Sequence, residues 1–206
     1  MGSTRCSLTE LKTPVDNPTR VITTLDRHLE HEVSLIVYGR GALCLGFDHP
    51  NGKFAVTQDV DGIIPLSQLD DLTNDVQFWE AINATNEELE PSGLYLTHLF
   101  REDQVILRSD WERDIVPLRR PETRFLKLFR PASIDLVLTK MMRGNDEEDL
   151  SDIEFLIRHD RINAQAIEQA LREAVIPDIP ELVEAFEKAR PTVVEITNRI
   201  SSSGEM

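Results

Sequence analysis

Long apolar runs and cysteines are both scarce in this chain, and each absence excludes a class of protein. A membrane-spanning helix needs about 18 or more consecutive apolar residues, and the sequence contains no run of that length. Its N-terminal segment has no apolar stretch behind its positive charges, which is not the pattern of a signal peptide. Cys6 in a tail-like segment and Cys44 in an apolar run do not predict a disulfide. We therefore expect a cytoplasmic protein with no membrane partner.

Basic residues are also outnumbered: 22 Lys and Arg face 37 Asp and Glu, for a net charge of −15. Non-specific affinity for nucleic acid comes largely from Lys and Arg contacts to phosphates, so a broad phosphate-binding surface is not expected. A local exception is the segment 119–130, which is either a solvated strand pair or a groove for a phosphate or a nucleic-acid end. It carries five of the 22 basic residues, Arg119, Arg120, Arg124, Lys127 and Arg130.

The order of apolar patterns predicts an α+β fold whose two parts share a core. Residues 17–130 alternate helical and strand-like patterns and are expected to form a mixed β-sheet with flanking helices. Residues 131–200 have helical patterning throughout and are predicted to form a C-terminal helical annex, with no linker-like segment before it. Residues 1–16 and 201–206 are predicted to be flexible tails.

Local signals predict individual elements. Asn17 is a candidate N-cap before Pro18, while Asn163 and Pro180 mark the starts of two later helices. The runs "VSLIVYG" and "KFAVTQDVDGIIP" are predicted strands around the short helical "GALCLGF", and residues 66–89 are predicted to be helical. The strand-like "GLYLTHLF" and "QVILR", joined by "REDQ", have the pattern of a β-hairpin. "DIVPL" and "TRFLKLF" add one or two further strands.

Two aspartates, Asp59 and Asp61, lie two residues apart on a predicted strand downstream of a glycine turn. Side chains at this spacing point to the same face of a strand, with Cα atoms about 7 Å apart, so the carboxylates repel unless solvent or a cation intervenes. Mg²⁺ is commonly held by one or two carboxylates together with substrate phosphates. Gly39 and Gly41 would let the backbone approach such a phosphate closely. The alternative is a strand with two exposed aspartates that bind nothing.

An apolar strand, then "YGRGAL", then "TQDVDG" on the next strand resembles the nucleotidyltransferase superfamily typified by DNA polymerase beta. Within it, the chain is similar to uncharacterised bacterial nucleotidyltransferase-like proteins and to the abortive-infection type toxins of toxin–antitoxin systems. Gly39 and Gly41 match the glycine motif that opens a short helix, and Asp59 and Asp61 match the Asp-x-Asp strand.

A second part of the resemblance lies in "DLVLTKMMRGNDEEDLSDIEFL", which is similar to the lysine-bearing helix and the Asp-x-x-Asp helix of the toxin-like branch. Lys140 and Arg143 match the basic helix, and Asp149 and Asp152 match the acidic pair. In one interpretation Lys140 neutralises charge on nucleotide phosphates. In the other, Lys140 pairs with Asp149 or Asp152 and ties two helices together. The resemblance covers about residues 33–157.

Two features depart from the pattern of the superfamily. The segment "FDHPNGKFA" lengthens the interval between the glycines and the aspartates and is predicted to be a loop. Polymerase-like members also carry a third carboxylate on a later strand, where this chain has His98, a residue type that favours Zn²⁺ or Mn²⁺ over Mg²⁺. His98 is either a metal ligand or an ordinary strand histidine. Nearby carboxylates in turn-like segments are Asp103, Asp110 and Asp114.

The resemblance implies a protein that binds a nucleoside triphosphate with Mg²⁺ or Mn²⁺ and transfers a nucleotidyl group to an RNA, a protein or a small molecule. An antitoxin partner is implied for the toxin-like branch. Two alternatives stay open: a catalytically inactive binding or interaction module, and a metal-dependent phosphohydrolase with water as acceptor. The residues that would form the site are catalytic Asp59, Asp61 and Lys140; nucleotide-binding Gly39, Arg40, Gly41 and Arg143; and metal-binding Asp59, Asp61 and His98.

Overall fold

Residues 15–48 and 52–203 are described by the structure, a computed structural model, and they form an α+β fold. The strands in these ranges are β1 Val33–Tyr38, β2 Asp59–Ile64, β3 Tyr95–Arg101, β4 Leu107–Arg108, β5 Val116–Pro117, β6 Leu126–Arg130 and β7 Ala174–Val175. The helices are α1 Asn17–His28, α2 Gly39–Leu45, α3 Gly52–Ala55, α4 Leu69–Thr73, α5 Val76–Leu89, α6 Ser133–Lys140, α7 Glu147–His159, α8 Ala164–Glu173 and α9 Pro180–Ser203. None of these helices is long and apolar enough to span a bilayer.

The main sheet has its strands in the order β3-β2-β1-β6-β5 within the described ranges. β1 runs antiparallel to β2 and parallel to β6, while β2 runs parallel to β3, so the predicted mixed sheet with flanking helices is confirmed. The apolar run "VSLIVY" suits the central position of β1, because a central strand is covered on both faces. Its register places Tyr38 opposite Asp61, which brings the glycine turn after β1 next to the aspartates.

The expected hairpin between "GLYLTHLF" and "QVILR" is wrong. β3 pairs in parallel with β2, and β4 pairs with β7 in a separate two-stranded sheet. Ile106 and Leu107 are buried, and Arg108 Nη2 reaches Asp135 Oδ2 on α6 at 2.8 Å. Burial and ion pairing with the helical region therefore outweigh the local hairpin pattern. β7 also interrupts the region that was predicted to be wholly helical.

The three helix starts predicted from Asn17, Asn163 and Pro180 agree with the structure to within one residue. α1 begins at Asn17, but its cap is Asp16, whose carboxylate accepts a hydrogen bond from Thr19 N–H at 2.8 Å. Asn163 caps α8 with its side chain and α9 begins at Pro180, as predicted. The predicted cap of α1 is wrong by one residue because Asp and Asn are nearly equivalent as caps and are adjacent in the sequence here.

Two segments with predicted irregular structure are partly helical. Residues 52–55, in the expected loop, form α3. Residues 201–203, in the predicted C-terminal tail, continue α9. Residues 1–14 and 204–206 of the predicted tails, and Cys6 with them, lie outside the described residues.

One hydrophobic core connects the sheet with the C-terminal helices. Leu35 of β1 and Leu43 of α2 are buried in the same cluster as Leu136 of α6, Ile153 of α7 and Phe186 of α9. Burying a side chain of this kind contributes about 1.5–3 kcal/mol relative to leaving it exposed. The two parts of the chain therefore stabilise each other.

Asp26 joins α1 to the start of β6. Its carboxylate accepts hydrogen bonds from three consecutive backbone N–H groups, those of Arg124, Phe125 and Leu126, each at 2.8 Å. Bonds to an ionised acceptor are stronger than neutral ones. Because Leu126 is the first residue of β6, Asp26 fixes the point at which that strand enters the sheet.

Replacing Asp26 by alanine is expected to lower the free energy of unfolding by about 2–4 kcal/mol, because three backbone donors lose a charged acceptor. Urea denaturation of the variant and the parent near neutral pH measures the difference. Asp70→Ala removes an equally charged but exposed side chain and should change stability by no more than about 0.5 kcal/mol. Equal losses in the two variants would show that Asp26 does not anchor β6.

Candidate functional site

A cavity of about 430 Å³ opens where β1 ends and β2 begins. Antiparallel pairing puts Tyr38, the last residue of β1, opposite Asp61, and α2 starts immediately afterwards at Gly39. Residues of α6, α7 and the turn between them close the other side. We call it the Asp61 cavity, and its lining residues are Tyr38, Gly39, Arg40, Thr57, Asp59, Asp61, His98, Phe100, Thr139, Lys140, Met142, Arg143, Glu148 and Asp149.

Asp59 and Asp61 occupy the sheet side of this cavity. Both line it, while Val60 between them is buried, as the alternation of a strand requires. Asp59 is exposed and accepts a hydrogen bond from Thr57 Oγ1 at 3.0 Å, whereas Asp61 is half-buried. The two carboxylates therefore face one common space.

A β-bulge sets the surroundings of Asp61. The register between β2 and β3 shifts just after Val60, so that Thr97 and His98 together stand opposite Asp61 alone. Thr97 Oγ1 donates to Asp61 Oδ1 at 2.9 Å, and His98 Nδ1 lies 3.5 Å from the same oxygen. In a regular strand two consecutive side chains would point to opposite faces. The bulge is what lets both of them reach one carboxylate.

The sheet side of the cavity is electrostatically negative. Burial raises the pKa of the Asp61 carboxyl, and the charge of Asp59 adds to this, while the hydrogen bond from Thr97 and the proximity of His98 act in the opposite direction. The pKa of the Tyr38 hydroxyl is raised as well, first by burial and then by the charges of Asp61 and Asp59. The aspartate charges contribute less than burial to both shifts, and a bound cation would offset that contribution.

Basic side chains form the opposite wall, and carboxylates of α7 hold them in place. Lys140 Nζ lies 2.9 Å from both Asp149 Oδ1 and Asp152 Oδ2, and Lys140 is only 7% exposed. Arg143 Nε lies 2.6 Å from Asp149 Oδ2. The structural alternative for Lys140, an ion pair that ties α6 to α7, is thus present in the fold. Lys140 also lines the cavity, so the pairing does not remove it from the site.

Arg40, the second residue of α2, completes this wall. Its Nε lies 3.2 Å from Asp152 and its Nη1 3.1 Å from Glu148, but Nη2 is buried with no hydrogen-bond partner among the described residues. Lys53 Nζ also reaches Asp152, at 2.6 Å. Burial alone would raise the pKa of Asp152, but Lys140, Lys53 and Arg40 outweigh it and lower that pKa. Arg40 thus lines the cavity with one donor nitrogen that the described residues do not use.

The two glycines of the motif have different roles. Gly39 has φ of +64°, a left-handed conformation that suits glycine, and it lines the cavity beside Asp61. Gly41 is buried instead, and a Cβ there would lie 3.2 Å from Val37 and 3.5 Å from Val60. It therefore allows α2 to pack closely on β1 and β2. Of the predicted site residues, Gly41 is the one that lies outside the cavity.

The carboxylates considered as a third metal ligand lie elsewhere. Asp103 is bonded to Arg101 and Asp114 to Arg108, and Asp110 is absent from the residues that line the cavity. In the part of the chain that the structure describes, no group of three or more His, Cys, Asp and Glu side chains is placed to hold a metal ion.

The donor set that fits a divalent cation is the pair Asp59 and Asp61. Their oxygens are hard ligands that suit Mg²⁺ or Mn²⁺ when a bound ligand supplies further oxygens. His98 lies beside them but stacks on Phe100, with 5.2 Å between the ring centroids. In the structure His98 contacts Asp61 and Phe100, and metal ligation by His98 stays a prediction.

Sequence reasoning missed Tyr38, Thr97 and Lys53. Tyr38 directly precedes the glycine motif and Thr97 directly precedes His98, so adjacency to predicted residues is the signal that could have found them. Lys53 lies in the segment expected to be a loop. No local pattern indicates that this lysine reaches Asp152, which is almost a hundred residues away along the chain.

No protein-family model, no curated protein and no solved structure matches this chain. Its class is therefore defined by the fold and the cavity. It is an α+β protein in which a mixed five-stranded sheet and a helical region enclose a cavity with one acidic and one basic wall. The resemblance to nucleotidyltransferases stays a prediction from the sequence.

Replacing Lys140 by methionine is expected to lower the free energy of unfolding by about 3–5 kcal/mol, because Asp149 and Asp152 stay buried without their shared partner. Denaturant titration near neutral pH measures this loss. The matched control is Lys127→Met, since Lys127 is an exposed lysine 3.3 Å from Glu32 and such pairs contribute about 0–1 kcal/mol. A loss as small as that of the control would mean that Arg40, Lys53 and Arg143 are enough to stabilise the two aspartates.

Replacing Asp61 by asparagine is expected to leave the metal-free protein equally or more stable at neutral pH. A carboxyl whose pKa is raised on folding stabilises the fold only while it is protonated, and this contribution is lost as the pH rises through the folded-state pKa. The advantage of the variant should therefore shrink as the pH falls towards the unfolded pKa of about 3.9. Denaturation curves over this range test it, with the exposed Asp70→Asn as control. Lower stability of Asp61→Asn at neutral pH would show that the Thr97 hydrogen bond outweighs burial.

Proposed function

We propose that this chain is a nucleotidyltransferase-like protein that binds a nucleoside triphosphate with Mg²⁺ or Mn²⁺ in the Asp61 cavity. One observation carries the proposal: a carboxylate pair and a set of basic side chains face each other across a single cavity of about 430 Å³. A metal–triphosphate complex has the same division of charge, with a cation on one side and phosphate oxygens on the other. The volume lies within the range of small-molecule sites, about 300–1,000 Å³.

The charge balance of the cavity favours metal-dependent binding. A bare triphosphate would meet a lining in which acidic groups outnumber basic ones, on a chain with a net charge of −15. Mg²⁺ held by the aspartate pair supplies the missing positive charge and takes phosphate oxygens as further ligands. The four carboxylates that line the cavity are Asp59, Asp61, Glu148 and Asp149, and the three basic groups are Arg40, Lys140 and Arg143.

Arg40 and Arg143 are the side chains best placed to contact phosphates. Arg40 has the unpartnered Nη2, and the Arg143 side chain is 58% exposed although its Nε is bonded to Asp149. A guanidinium carries five N–H donors, so one ion pair leaves several of them available. Lys140 is engaged by two carboxylates, which makes it a positioning residue: it holds Asp149, and Asp149 in turn holds Arg143.

Nucleotidyl transfer is the reaction that this arrangement supports best. An acceptor hydroxyl forms a bond to the α-phosphorus, the bond between the α- and β-phosphates breaks, and pyrophosphate leaves while the hydroxyl proton passes to water. The basic wall would stabilise the charge that develops on the leaving phosphates, a task that depends on positioning rather than on covalent chemistry. The acceptor is an RNA, a protein hydroxyl or a small molecule. An antitoxin partner and a cytoplasmic location remain parts of the same proposal.

Calorimetric titration with each nucleoside triphosphate, with and without Mg²⁺ or Mn²⁺, tests the proposal. We expect binding that depends on the metal. The double substitution Asp59→Asn and Asp61→Asn should weaken metal-dependent binding by at least about tenfold, which corresponds to about 1.4 kcal/mol, because the metal loses both protein carboxylates.

The matched control for this titration is Asp70→Asn with Asp71→Asn, which also removes two charges from exposed aspartates outside the cavity. The control should bind as the parent does. Equal weakening in the two double variants would point to overall charge rather than to the site. Metal-independent or absent nucleotide binding in the parent would overturn the proposal.

A second candidate function, a nucleotide-binding or interaction module without transfer activity, is favoured by a specific observation. Lys140 Nζ is bonded to Asp149 and Asp152 within the protein, so it is not available as a free phosphate ligand. A nucleotide labelled at the α-phosphate separates the two functions. Label that appears on RNA or protein supports the transferase, whereas metal-dependent binding without transfer supports the module.

A further inference from the structure

A second cavity, of about 300 Å³, lies at the opposite end of α2 from the Asp61 cavity. Gly39 and Arg40 at the start of α2 line the first cavity, and Leu45 and Gly46 at its end line the second. A helix of this length separates its ends by about 10 Å. We call the second space the Arg130 cavity, and its charged and aromatic lining residues are Phe47, Asp48, Arg119, Arg120, Arg130 and His159.

Arg130 is the buried member of this cluster, with 6% of its surface exposed. Its Nη1 donates to the carbonyl of Pro131 at 2.9 Å and to Ser133 Oγ at 3.2 Å, and its guanidinium lies over the Phe47 ring at 4.3 Å. Its Nε is buried and has no hydrogen-bond partner among the described residues. A buried charged donor without a partner is unusual, and a ligand is one of its ordinary explanations.

The space for this guanidinium depends on Gly46. A Cβ at position 46 would lie 2.7 Å from Arg130 Cδ and 2.8 Å from Arg130 Nε, closer than non-bonded atoms approach. Burial lowers the pKa of Arg130, and the charge of Asp160 offsets this only in part. The desolvation of Arg130 is therefore compensated only in part, and a bound anion would reduce the remainder.

The surroundings of Arg130 concentrate positive charge on an acidic protein. Arg119, Arg120 and His159 are exposed around the same cavity. Asp160 lies 2.6 Å from His159 Nδ1 and balances that side of the cluster. The carboxylate that lines the cavity, Asp48, has a 92% exposed side chain and lies 3.5 Å from Arg120, a contact too long and too open to neutralise the three arginines. The local excess of basic groups stands against a net charge of −15 for the whole chain.

We propose that the Arg130 cavity is an oxyanion site that binds a phosphate group, with Arg130 at its base and Arg119, Arg120 and His159 around its opening. Guanidinium groups recognise phosphate through paired N–H donors and stay charged at any physiological pH. The volume of about 300 Å³ admits a phosphate together with part of the group that carries it. The phosphate belongs either to a free phosphorylated small molecule or to the terminal phosphate of an RNA. The site is separate from the Asp61 cavity and does not depend on the function proposed for it.

A competing explanation is that these basic residues only stabilise helix ends. α2 and α7 both end at this cavity, and cations near a helix C-terminus are favourable. Arg120 Nη2 donates to the carbonyl of Phe47 at 3.2 Å, which fits that role. It does not account for the unpartnered Nε of Arg130. The two explanations differ in whether added phosphate contacts the cluster.

Nuclear magnetic resonance of the arginine Nε–Hε groups distinguishes them. Inorganic phosphate is titrated into the chain carrying Asp59→Asn and Asp61→Asn, without divalent metal and at constant ionic strength set with sodium chloride. We expect the Nε–Hε signal of Arg130, assigned by its loss in Arg130→Lys, to shift and saturate with phosphate. An Arg130 signal that moves neither in this titration nor with the RNA oligomers described below would overturn the proposal.

Affinity measurements on exposed residues give a second, independent readout. The double variant Arg119→Ala and Arg120→Ala should weaken phosphate binding by about tenfold or more, since each substitution removes charge-assisted hydrogen bonds. Arg124→Ala is the matched control, because Arg124 belongs to the same basic segment but lies over Phe125 rather than in the cavity. Arg143→Ala, in the Asp61 cavity, should also leave this binding unchanged. Weakening by Arg143→Ala but not by the double variant would overturn the proposal.

Two RNA oligomers of the same sequence identify the source of the phosphate. If the oligomer with a 5′-phosphate binds at least tenfold more tightly than the one with a 5′-hydroxyl, and shifts the Arg130 signal, the site receives an RNA end. Equal affinities of the two oligomers, with the shift caused by inorganic phosphate retained, assign the site to small phosphorylated molecules. If neither inorganic phosphate nor either oligomer moves the signal, the basic cluster is structural and the proposal is wrong.

Discussion

One buried carboxylate of α7, Asp152, holds the sheet region and the helical region of this protein together. Asp152 is inaccessible to solvent and is bonded to Lys140 of α6, Arg40 of α2 and Lys53 of α3, while Asp149 shares Lys140. Charges at this depth are stable only when they are paired. Separation of the two regions would therefore expose or orphan several charges at once. The Asp61 cavity lies directly at this junction, so its shape depends on it.

The same ion cluster decides which basic groups remain available to a ligand. It engages Lys140 on both sides and leaves donors of Arg40 and Arg143 at the cavity wall. The sheet side is built differently, because the bulge opposite Asp61 surrounds a half-buried carboxylate with a hydroxyl and an imidazole rather than with a strong base. One wall is thus neutralised internally and the other keeps its charge. Because the neutralised wall attracts phosphates only weakly, we expect phosphates to bind together with a cation that the aspartate pair holds.

Much of the secondary structure could be predicted, because it follows from local patterns. The central strand before the glycine turn, the cap of α8, the first residue of α9 and the amphipathic C-terminal helices all have signals within a few residues. Pairing between elements could not be predicted in the same way. The segment "QVILR" has the local pattern of a hairpin strand, yet β4 pairs with β7 because burial against α6 and the Arg108–Asp135 ion pair favour that position. These contacts join residues that are far apart in sequence.

Residue spacing is enough to predict that two aspartates face one side of a strand and that a glycine turn precedes them. The sequence also limits Lys140 to two roles without choosing between them. Three further features follow from tertiary contacts: Lys140 is buried against α7, Gly41 serves packing, and Thr97 and His98 reach the same carboxylate. The reason is common to all three. Burial, close packing and strand register are set by contacts between distant segments, and no local pattern encodes them.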